Sequence, residues 1–174
     1  MEVMTQLDPL SGMVLSFVTA QRLAEVVYAR RNERRLLERV GVEHGAEHYI
    51  AIVGLHTAWL LGLWVLASGI RPHTMWLLVF VALQTLRLWV LATLGSRWTT
   101  RIIVLRDEPL VRTGPYRWLS HPNYTVVALE IFVLPMAYGL LLFGLLFSAL
   151  NAAILFVRIR SEDAALREAN AATK

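Results

Sequence analysis

The sequence contains no cysteine among its 174 residues, and this absence removes several kinds of chemistry at once. Disulfide bonds, thiolate metal ligation and a cysteine nucleophile are all excluded. Charged residues are also scarce, at 17%, whereas hydrophobic residues make up 56% and the mean hydropathy is +0.51. Soluble domains of this length carry more charge and fewer apolar residues. The composition therefore predicts a membrane protein.

Groups that could hold a catalytic metal are few. Five histidines are fewer than a histidine-rich membrane di-iron oxygenase requires, although the hydropathy is similar to that of such a protein. His44 and His48 lie four residues apart beside Glu43 and Glu47, a spacing that would suit metal ligation. Their order lacks the H-E-x-x-H arrangement of zinc peptidases, and neither a Gly-rich phosphate loop nor a serine elbow is present. We therefore predict no metal.

The apolar residues are grouped in blocks that match the thickness of a bilayer. A span needs about 20 residues at a rise of 1.5 Å each. The first block is the weakest, because it carries Gln21, Arg22 and Glu25, and it lacks the basic start and cleavage site of a signal peptide. Pro135 and Gly139 mark a turn inside the last block. We predict an all-α integral membrane protein with one domain, residues 1–174, and about five transmembrane helices, at 10–29, 49–70, 73–94, 124–138 and 139–157.

Arginines in the loops predict the orientation. Five arginines occur between residues 30 and 39, five more in the loop 95–123, and Arg158 and Arg160 follow the last span. The positive-inside bias places these segments in the cytoplasm and the N-terminus outside. A net charge of +4 is then explained by contact with anionic membrane lipids, and no nucleic-acid partner is expected because no nucleic-acid motif accompanies the charge.

Each predicted span carries a polar residue six or seven positions from its cytoplasmic end, which corresponds to a depth of about 10 Å. Ionisable groups inside a membrane are costly and often functional. One interpretation is mutual neutralisation, for example of Arg87 by Glu130. We favour a polar substrate cavity that opens to the cytoplasm. Its candidate residues are Arg22, His56, Arg87, Glu130 and Asn151.

The loop 95–123 and the C-terminal tail carry the other groups that could bind a ligand. Gly114-Pro115 and His121-Pro122 fix bends in the loop, and residues 94–105 are expected to include a short extended piece. Trp98 suits the level of the lipid headgroups. Arg158 and Glu162 lie four residues apart on one face of a helix, and this spacing alone is most simply explained by a surface ion pair.

Two segments resemble the signatures of a known family. "GPYRWLSHPNY" resembles the G-x-Y-x-x-x-R-H-P-x-Y element of the isoprenylcysteine carboxyl methyltransferase family, and "RIRSEDAAL" resembles its R-x-x-x-E-[ED]-x-x-L tail. "AQRLAEVVYARRNERR", "GVEHGAEHY" and "LRLWVLATLGSRWTTRIIVL" extend the resemblance over nearly the whole chain. They are similar to a bacterial branch whose members are often encoded beside type III polyketide synthases and methylate hydroxyls of alkylpyrone-like lipids.

The resemblance implies a methyltransferase with S-adenosylmethionine as its donor, bound by the cytoplasmic loop and the C-terminal helix. The implied cofactor residues are Gly114, for the tight turn, and Tyr116, His121, Pro122 and Tyr124, for the pocket. Arg158 and Glu162 match the catalytic arginine and glutamate of the family. The acceptor is expected to be a lipophilic small molecule with a hydroxyl or a carboxylate.

Two departures from the family pattern bear on the acceptor. Ser120 replaces the arginine that often precedes His-Pro. Members that act on prenylcysteine continue past the tail element with an aromatic-rich segment, whereas "REANAATK" follows here and favours a smaller acceptor. Methylation of a prenylcysteine carboxylate and a non-enzymatic lipid-binding role remain the alternatives.

Overall fold

The computed structural model describes residues 7–39, 41–105 and 110–172, and residues 106–109 of the predicted loop lie outside this description. Five helices make up most of the described chain. They are α1 (Pro9–Glu38), α2 (Ala46–Ala67), α3 (Thr74–Leu94), α4 (Pro122–Ala137) and α5 (Leu141–Ala172). Two short strands, β1 (Val42–His44) and β2 (Ile102–Val104), join them, with 3-10 turns at Gly95–Arg97 and Gly114–Arg117. The predicted all-α membrane fold is confirmed.

The helices are long and apolar enough to cross a bilayer. Among the described residues four of them reach membrane length with few charges, and α4 is a shorter apolar helix of 16 residues, about 24 Å long. The amide of Asp8 donates to the carbonyl of Ser68 (2.9 Å), and that of His73 donates to Ala137 (2.7 Å). The starts of α1 and α3 therefore lie beside the ends of α2 and α4, as expected for helices that alternate in direction.

The helix boundaries follow the predicted spans closely in the middle of the chain and depart from them near both ends. Helix α1 continues nine residues beyond the predicted end at 29, to Glu38. Helix α5 runs without a break past the predicted end at 157, so the expected C-terminal helix is an extension of the last span. Asp8 caps α1 by accepting a hydrogen bond from the amide of Ser11 at 3.0 Å.

The core lies between the helices near the end of the bundle opposite the strands. Trp59, Leu63, Ile131 and Leu134 are almost completely buried there. The indole Nε1 of Trp59 donates to the carbonyl of Ile131 at 3.2 Å, so the buried polar atom of this large side chain is satisfied. Many other apolar side chains face outward, as expected for a surface in contact with lipid.

The two strands form an antiparallel ribbon, of which the sequence indicated only an extended piece within residues 94–105, where β2 lies; β1 and the pairing were not predicted. Val42 pairs with Val104, and His44 with Ile102. Ile102 and Val104 pack against Ala165 of α5, so the ribbon supports the part of α5 that extends beyond the predicted span. We call this end of the bundle the ribbon end. His44 lies on β1, whereas His48 lies in the first turn of α2 beyond Gly45 (φ +62°), so the two histidines do not share a helix face.

Candidate functional site

A cavity of about 550 Å³ lies at the ribbon end, between β2, the segment that follows it and α5. We call it the larger cavity. Its lining includes five of the residues predicted for the cofactor and for catalysis. These are Tyr116, His121, Tyr124, Arg158 and Glu162. Ser120, at the position of the family arginine, lines the same cavity, and so do other arginines, namely Arg97, Arg101, Arg112 and Arg167.

Arg158 and Glu162 are connected through a tyrosine. The Arg158 Nε donates to the Tyr124 hydroxyl at 3.0 Å, and that hydroxyl donates to Glu162 Oε2 at 2.6 Å. Arg158 Nη2 also donates to the backbone carbonyl of Thr100. Arg158 is 5% exposed, so its environment differs from that of a surface ion pair. These hydrogen bonds hold the guanidinium in place, and its carbon lies over the Tyr124 ring, 5.8 Å from the ring centroid.

Aromatic rings and carboxylates surround this arginine. The His121 ring stacks on the Tyr124 ring with centroids 5.5 Å apart. His121 Nε2 lies 3.2 Å from Asp163 Oδ1, and Nδ1 lies 3.8 Å from Glu162 Oε2. Burial raises the pKa of the Tyr116 phenol, with a further contribution from Glu162. Tyr116 is therefore neutral at physiological pH and presents a flat apolar face with one polar end.

Gly114 and Pro122 shape the loop. Gly114 adopts φ +55°, and a Cβ there would lie 2.5 Å from Thr93 Oγ1 and 3.2 Å from Trp89 Nε1 of α3. Only glycine allows both this backbone conformation and this close approach. Pro122 is fully buried at the first turn of α4, where its missing amide hydrogen costs nothing. Both residues position the backbone that carries Tyr116 and His121.

A second, smaller cavity of about 340 Å³ lies between α1, α2, α4 and α5. Its lining is mainly apolar and includes Leu23, Val53, Leu60 and Val127, with a few polar groups. The two cavities share one wall. That wall consists of Trp98, Thr99, Asn123, Tyr124 and Arg158. The buried arginine and its tyrosine partner therefore contact a polar space on one side and an apolar space on the other.

A network of buried charges borders the smaller cavity. Arg87 binds Glu25 through Nε (2.5 Å) and Nη2 (2.6 Å), and binds Glu130 Oε2 through Nη1 (2.7 Å). Arg22 Nη2 donates to the same Glu130 oxygen at 2.6 Å, and its Nη1 lies 3.1 Å from Glu25 Oε2. Gln84 donates to Glu130 Oε1 at 2.8 Å. Two arginines thus balance two glutamates at the junction of α1, α3 and α4.

The five residues predicted for the polar layer divide into two groups. Arg22, His56 and Arg87 line the smaller cavity. Glu130 is fully buried behind the two arginines, so the Arg87–Glu130 neutralisation considered from the sequence does occur. Asn151 is 1% exposed on α5, and neither polar atom of its side chain has a partner among the described residues.

Several residues in the shared wall or beside it were not predicted. Trp98 is 3% exposed and stacks on Tyr28 with centroids 5.9 Å apart, so its indole packs inside the protein, and its place at the headgroup level stays a prediction. Thr100 contributes a backbone carbonyl to Arg158 and a hydroxyl to Glu33 Oε1, at 3.0 Å. The role of a backbone carbonyl cannot be predicted from the sequence, because every residue has one. The polar residue Asn123, directly after the His-Pro pair, was the one feature of the sequence that could have indicated the wall.

Known proteins give an independent comparison. The model of the isoprenylcysteine carboxyl methyltransferase (ICMT) family matches residues 76–168. Uncharacterized protein YpbQ of Bacillus subtilis (strain 168) is 40% identical over 161 residues, which cover 90% of this chain and 96% of that protein. No solved structure matches the chain significantly.

The match includes the loop, α4 and the part of α5 that carries Arg158 and Glu162, so it covers the larger cavity and the shared wall. The fold and the family match thus define a membrane protein of the methyltransferase class, and the enzymes of this family use S-adenosylmethionine. The chain belongs to the isoprenylcysteine carboxyl methyltransferase family.

Proposed function

We propose that this protein is an S-adenosylmethionine-dependent O-methyltransferase that acts on a lipophilic small molecule at the cytoplasmic face of the membrane. One observation carries the proposal: a polar cavity and an apolar cavity share a wall that contains Tyr124 and the buried Arg158. A water-soluble donor and a membrane-soluble acceptor each need their own compartment, and the reacting atoms must meet between them. The acceptor group is an alkylpyrone-like hydroxyl or a carboxylate.

The residues of the larger cavity suit the donor. S-adenosylmethionine, when bound, supplies a methyl group on a positively charged sulfonium. Glu162 and Asp163 provide negative charge for the sulfonium and the ammonium group, and Arg112 or Arg167 can pair with the carboxylate. Tyr116 and His121 offer flat faces for the adenine ring. A volume of about 550 Å³ lies within the range of cofactor pockets.

The residues of the shared wall suit the acceptor oxygen. Arg158 has N–H groups beyond those used by Tyr124 and Thr100, and these can stabilise negative charge on the oxygen as it attacks. Glu162, reached directly or through the Tyr124 hydroxyl, can take the proton of an acceptor hydroxyl. Methyl transfer is an in-line displacement, so alignment of the two partners and exclusion of water supply much of the rate.

The test is a methyl-transfer assay with labelled S-adenosylmethionine over lipid extracts, using the purified protein in detergent. We expect label in a small lipophilic product. Label that appears only in prenylated protein or prenylcysteine would favour the prenylcysteine alternative over an alkylpyrone-like acceptor.

A binding experiment separates an enzyme from a non-enzymatic lipid-binding protein. Isothermal titration should show micromolar binding of S-adenosylhomocysteine that is lost in His121→Ala. His73→Ala is the matched control, because His73 is exposed at the opposite end of the bundle. Absence of binding in folded wild-type protein would contradict the proposal and favour the lipid-binding role.

A further inference from the structure

The smaller cavity has a polar group that is not part of the shared wall, at His56. His56 Nδ1 lies 2.8 Å from the carbonyl oxygen of Ile52, so this nitrogen carries the hydrogen and donates it. In the neutral imidazole Nε2 then has a free lone pair and accepts hydrogen bonds. The side chain lines the cavity, so a ligand in the cavity can reach it. A ligand group beside His56 would therefore be an O–H or N–H donor.

Arg22 offers the complementary function in the same cavity. Its Nη1 and Nη2 contact Glu25 and Glu130, which fixes the guanidinium, and the side chain remains 18% exposed. An arginine has five N–H groups, so Arg22 retains donors beyond these two contacts. A hydroxyl is the common group that both donates and accepts, and can therefore satisfy His56 and Arg22 together.

The balanced charge of the buried network disfavours binding of an ionised ligand group. Arg22 and Arg87 together carry two positive charges, and Glu25 and Glu130 carry two negative ones. A carboxylate placed beside this balanced network would be buried without a counter-charge, which is strongly unfavourable. A neutral group avoids that cost.

The spacing of residues along α4 gives the distance between the shared wall and the polar groups at His56 and Arg22. Tyr124, at the shared wall, and Glu130, which Arg22 contacts, are six residues apart, which is about 9 Å along a helix. Val127 and Leu155 line the cavity in its apolar middle. The cavity thus has a polar end, an apolar middle and a second polar end.

We propose that this cavity selects an uncharged acceptor with a second hydroxyl, about 9 Å from the oxygen that is methylated, bound between His56 and Arg22. The inference rests on the proposed function, because it defines the acceptor that the shared wall would methylate. His56 and Arg22 are then the specificity-determining residues, and Gln21 is a positioning residue that links Glu25 to Gln84 through hydrogen bonds of 3.1 and 2.7 Å.

Three phenols test the proposal, and each offers a phenolic oxygen for the shared wall. 4-(3-Hydroxypropyl)phenol carries the second hydroxyl, 4-butylphenol replaces that hydroxyl with a methyl group, and 3-(4-hydroxyphenyl)propanoate replaces the terminal CH2OH group with a carboxylate. Binding of each to the full-length protein is measured by isothermal titration in detergent. We expect the wild type to bind the diol about tenfold more tightly than either analogue, as one or two hydrogen bonds would give.

His56 variants assign that preference to its residue. His56→Phe should bind the diol and 4-butylphenol equally. His56→Gln should recover part of the preference for the diol, because its side-chain carbonyl can accept a hydrogen bond from the hydroxyl. Leu60→Val, which changes an apolar part of the same lining, should keep the full preference. Thermal unfolding verifies that each variant folds. The inference would be overturned if the wild type bound the diol and its analogues equally, if it bound the propanoate more tightly, or if it bound no probe. It would also be overturned if the preference for the diol survived in His56→Phe. Methyl transfer to the diol is measured separately, so a preserved preference without transfer contradicts the proposed function alone.

Discussion

Two arginines that lie two positions apart on α5 show that the surroundings of a side chain determine its role. Arg158 is 5% exposed and holds the Tyr124 hydroxyl and the Thr100 carbonyl. Arg160 lines neither cavity, and its guanidinium lies over the Phe156 ring, 4.3 Å from the ring centroid. Both have the same intrinsic chemistry. The proposed catalytic role belongs to Arg158 because it is fixed at the wall between the two cavities.

Arg158→Ala should therefore reduce kcat/KM for methyl transfer by several hundred-fold, as expected when a donor to a developing negative charge is removed. Arg160→Ala, the matched control, should stay within about twofold because an exposed or peripheral cation contributes little. The measurement is a steady-state assay with labelled donor. An equally small effect at both positions would restore the interpretation of Arg158 as a structural ion-pair residue.

Tyr124→Phe probes the link between Arg158 and Glu162. The hydroxyl is hydrogen bonded to both charged side chains, and such bonds contribute about 1.5–3 kcal/mol each. We expect kcat to fall about tenfold or more, while stacking on His121 keeps the affinity for S-adenosylhomocysteine close to that of the wild type. A large loss of that affinity with unchanged kcat would mean that Tyr124 serves the cofactor alone.

At the scale of elements, the ribbon connects two loops, one after α1 and one after α3, that lie far apart in the sequence. β1 follows α1 and β2 follows α3, and their pairing brings Ile102 and Val104 against Ala165 of α5. Glu43 of β1 and Arg101 before β2 add an ion pair at 2.7 Å, and this contact raises the pKa of the Arg101 guanidinium. The ribbon thereby fixes the loop and the tail around the larger cavity.

The sequence predicted the helices because each long apolar block is a local signal, and it predicted Arg158, Glu162 and His121 through motif resemblance. The ribbon could not be predicted, because three-residue strands are specified by pairing between segments about 60 residues apart and not by local periodicity. The burial of Trp98 could not be predicted for a similar reason: its stacking partner Tyr28 lies on α1, in a distant part of the sequence.

The turn at Gly114 gives a prediction for the loop. Gly114→Ala adds both a positive-φ cost of about 1–2 kcal/mol and a contact of 2.5 Å with Thr93 Oγ1. Gly139→Ala is the matched control, because Gly139 has φ +71° but open space around its Cβ position. Gly114→Ala should lower the melting temperature and the affinity for S-adenosylhomocysteine more than Gly139→Ala does.

Thr93→Ala removes the two closest atoms, so the double variant Gly114→Ala/Thr93→Ala should recover most of the way to the level of Gly139→Ala. Titration calorimetry and thermal unfolding in detergent provide the measurements. If the double variant behaves like Gly114→Ala alone, the close approach of the loop to α3 is not the cause.

At the scale of the whole molecule, the buried network ties three helices together through charge. Glu130→Gln leaves two arginines facing only Glu25, and breaking a buried pair in this way costs about 3–5 kcal/mol. We expect a clear drop in melting temperature, whereas the exposed Glu168→Gln should change it little. The double variant Arg22→Gln/Glu130→Gln restores charge balance and should lose less stability than the two single changes added together.

The orientation of the chain can be measured directly, because the natural sequence has no cysteine to remove. Arg71→Cys, exposed between α2 and α3, should react with a membrane-impermeant maleimide in intact cells. Arg117→Cys, exposed at the ribbon end, should react only after the membrane is permeabilised. The reverse pattern would place the larger cavity outside and contradict a cytoplasmic donor site.

Helix α5 has a consequence beyond the residues that it carries. It is about 48 Å long, but only its first part, residues 141–157, is apolar, and that part spans about 26 Å, close to the roughly 30 Å of hydrocarbon. The same rod carries the lipid-facing Leu142 and, directly after the apolar part, the wall residue Arg158. We therefore expect the acyl-chain length of the surrounding lipids to set how deep the shared wall lies relative to the membrane surface.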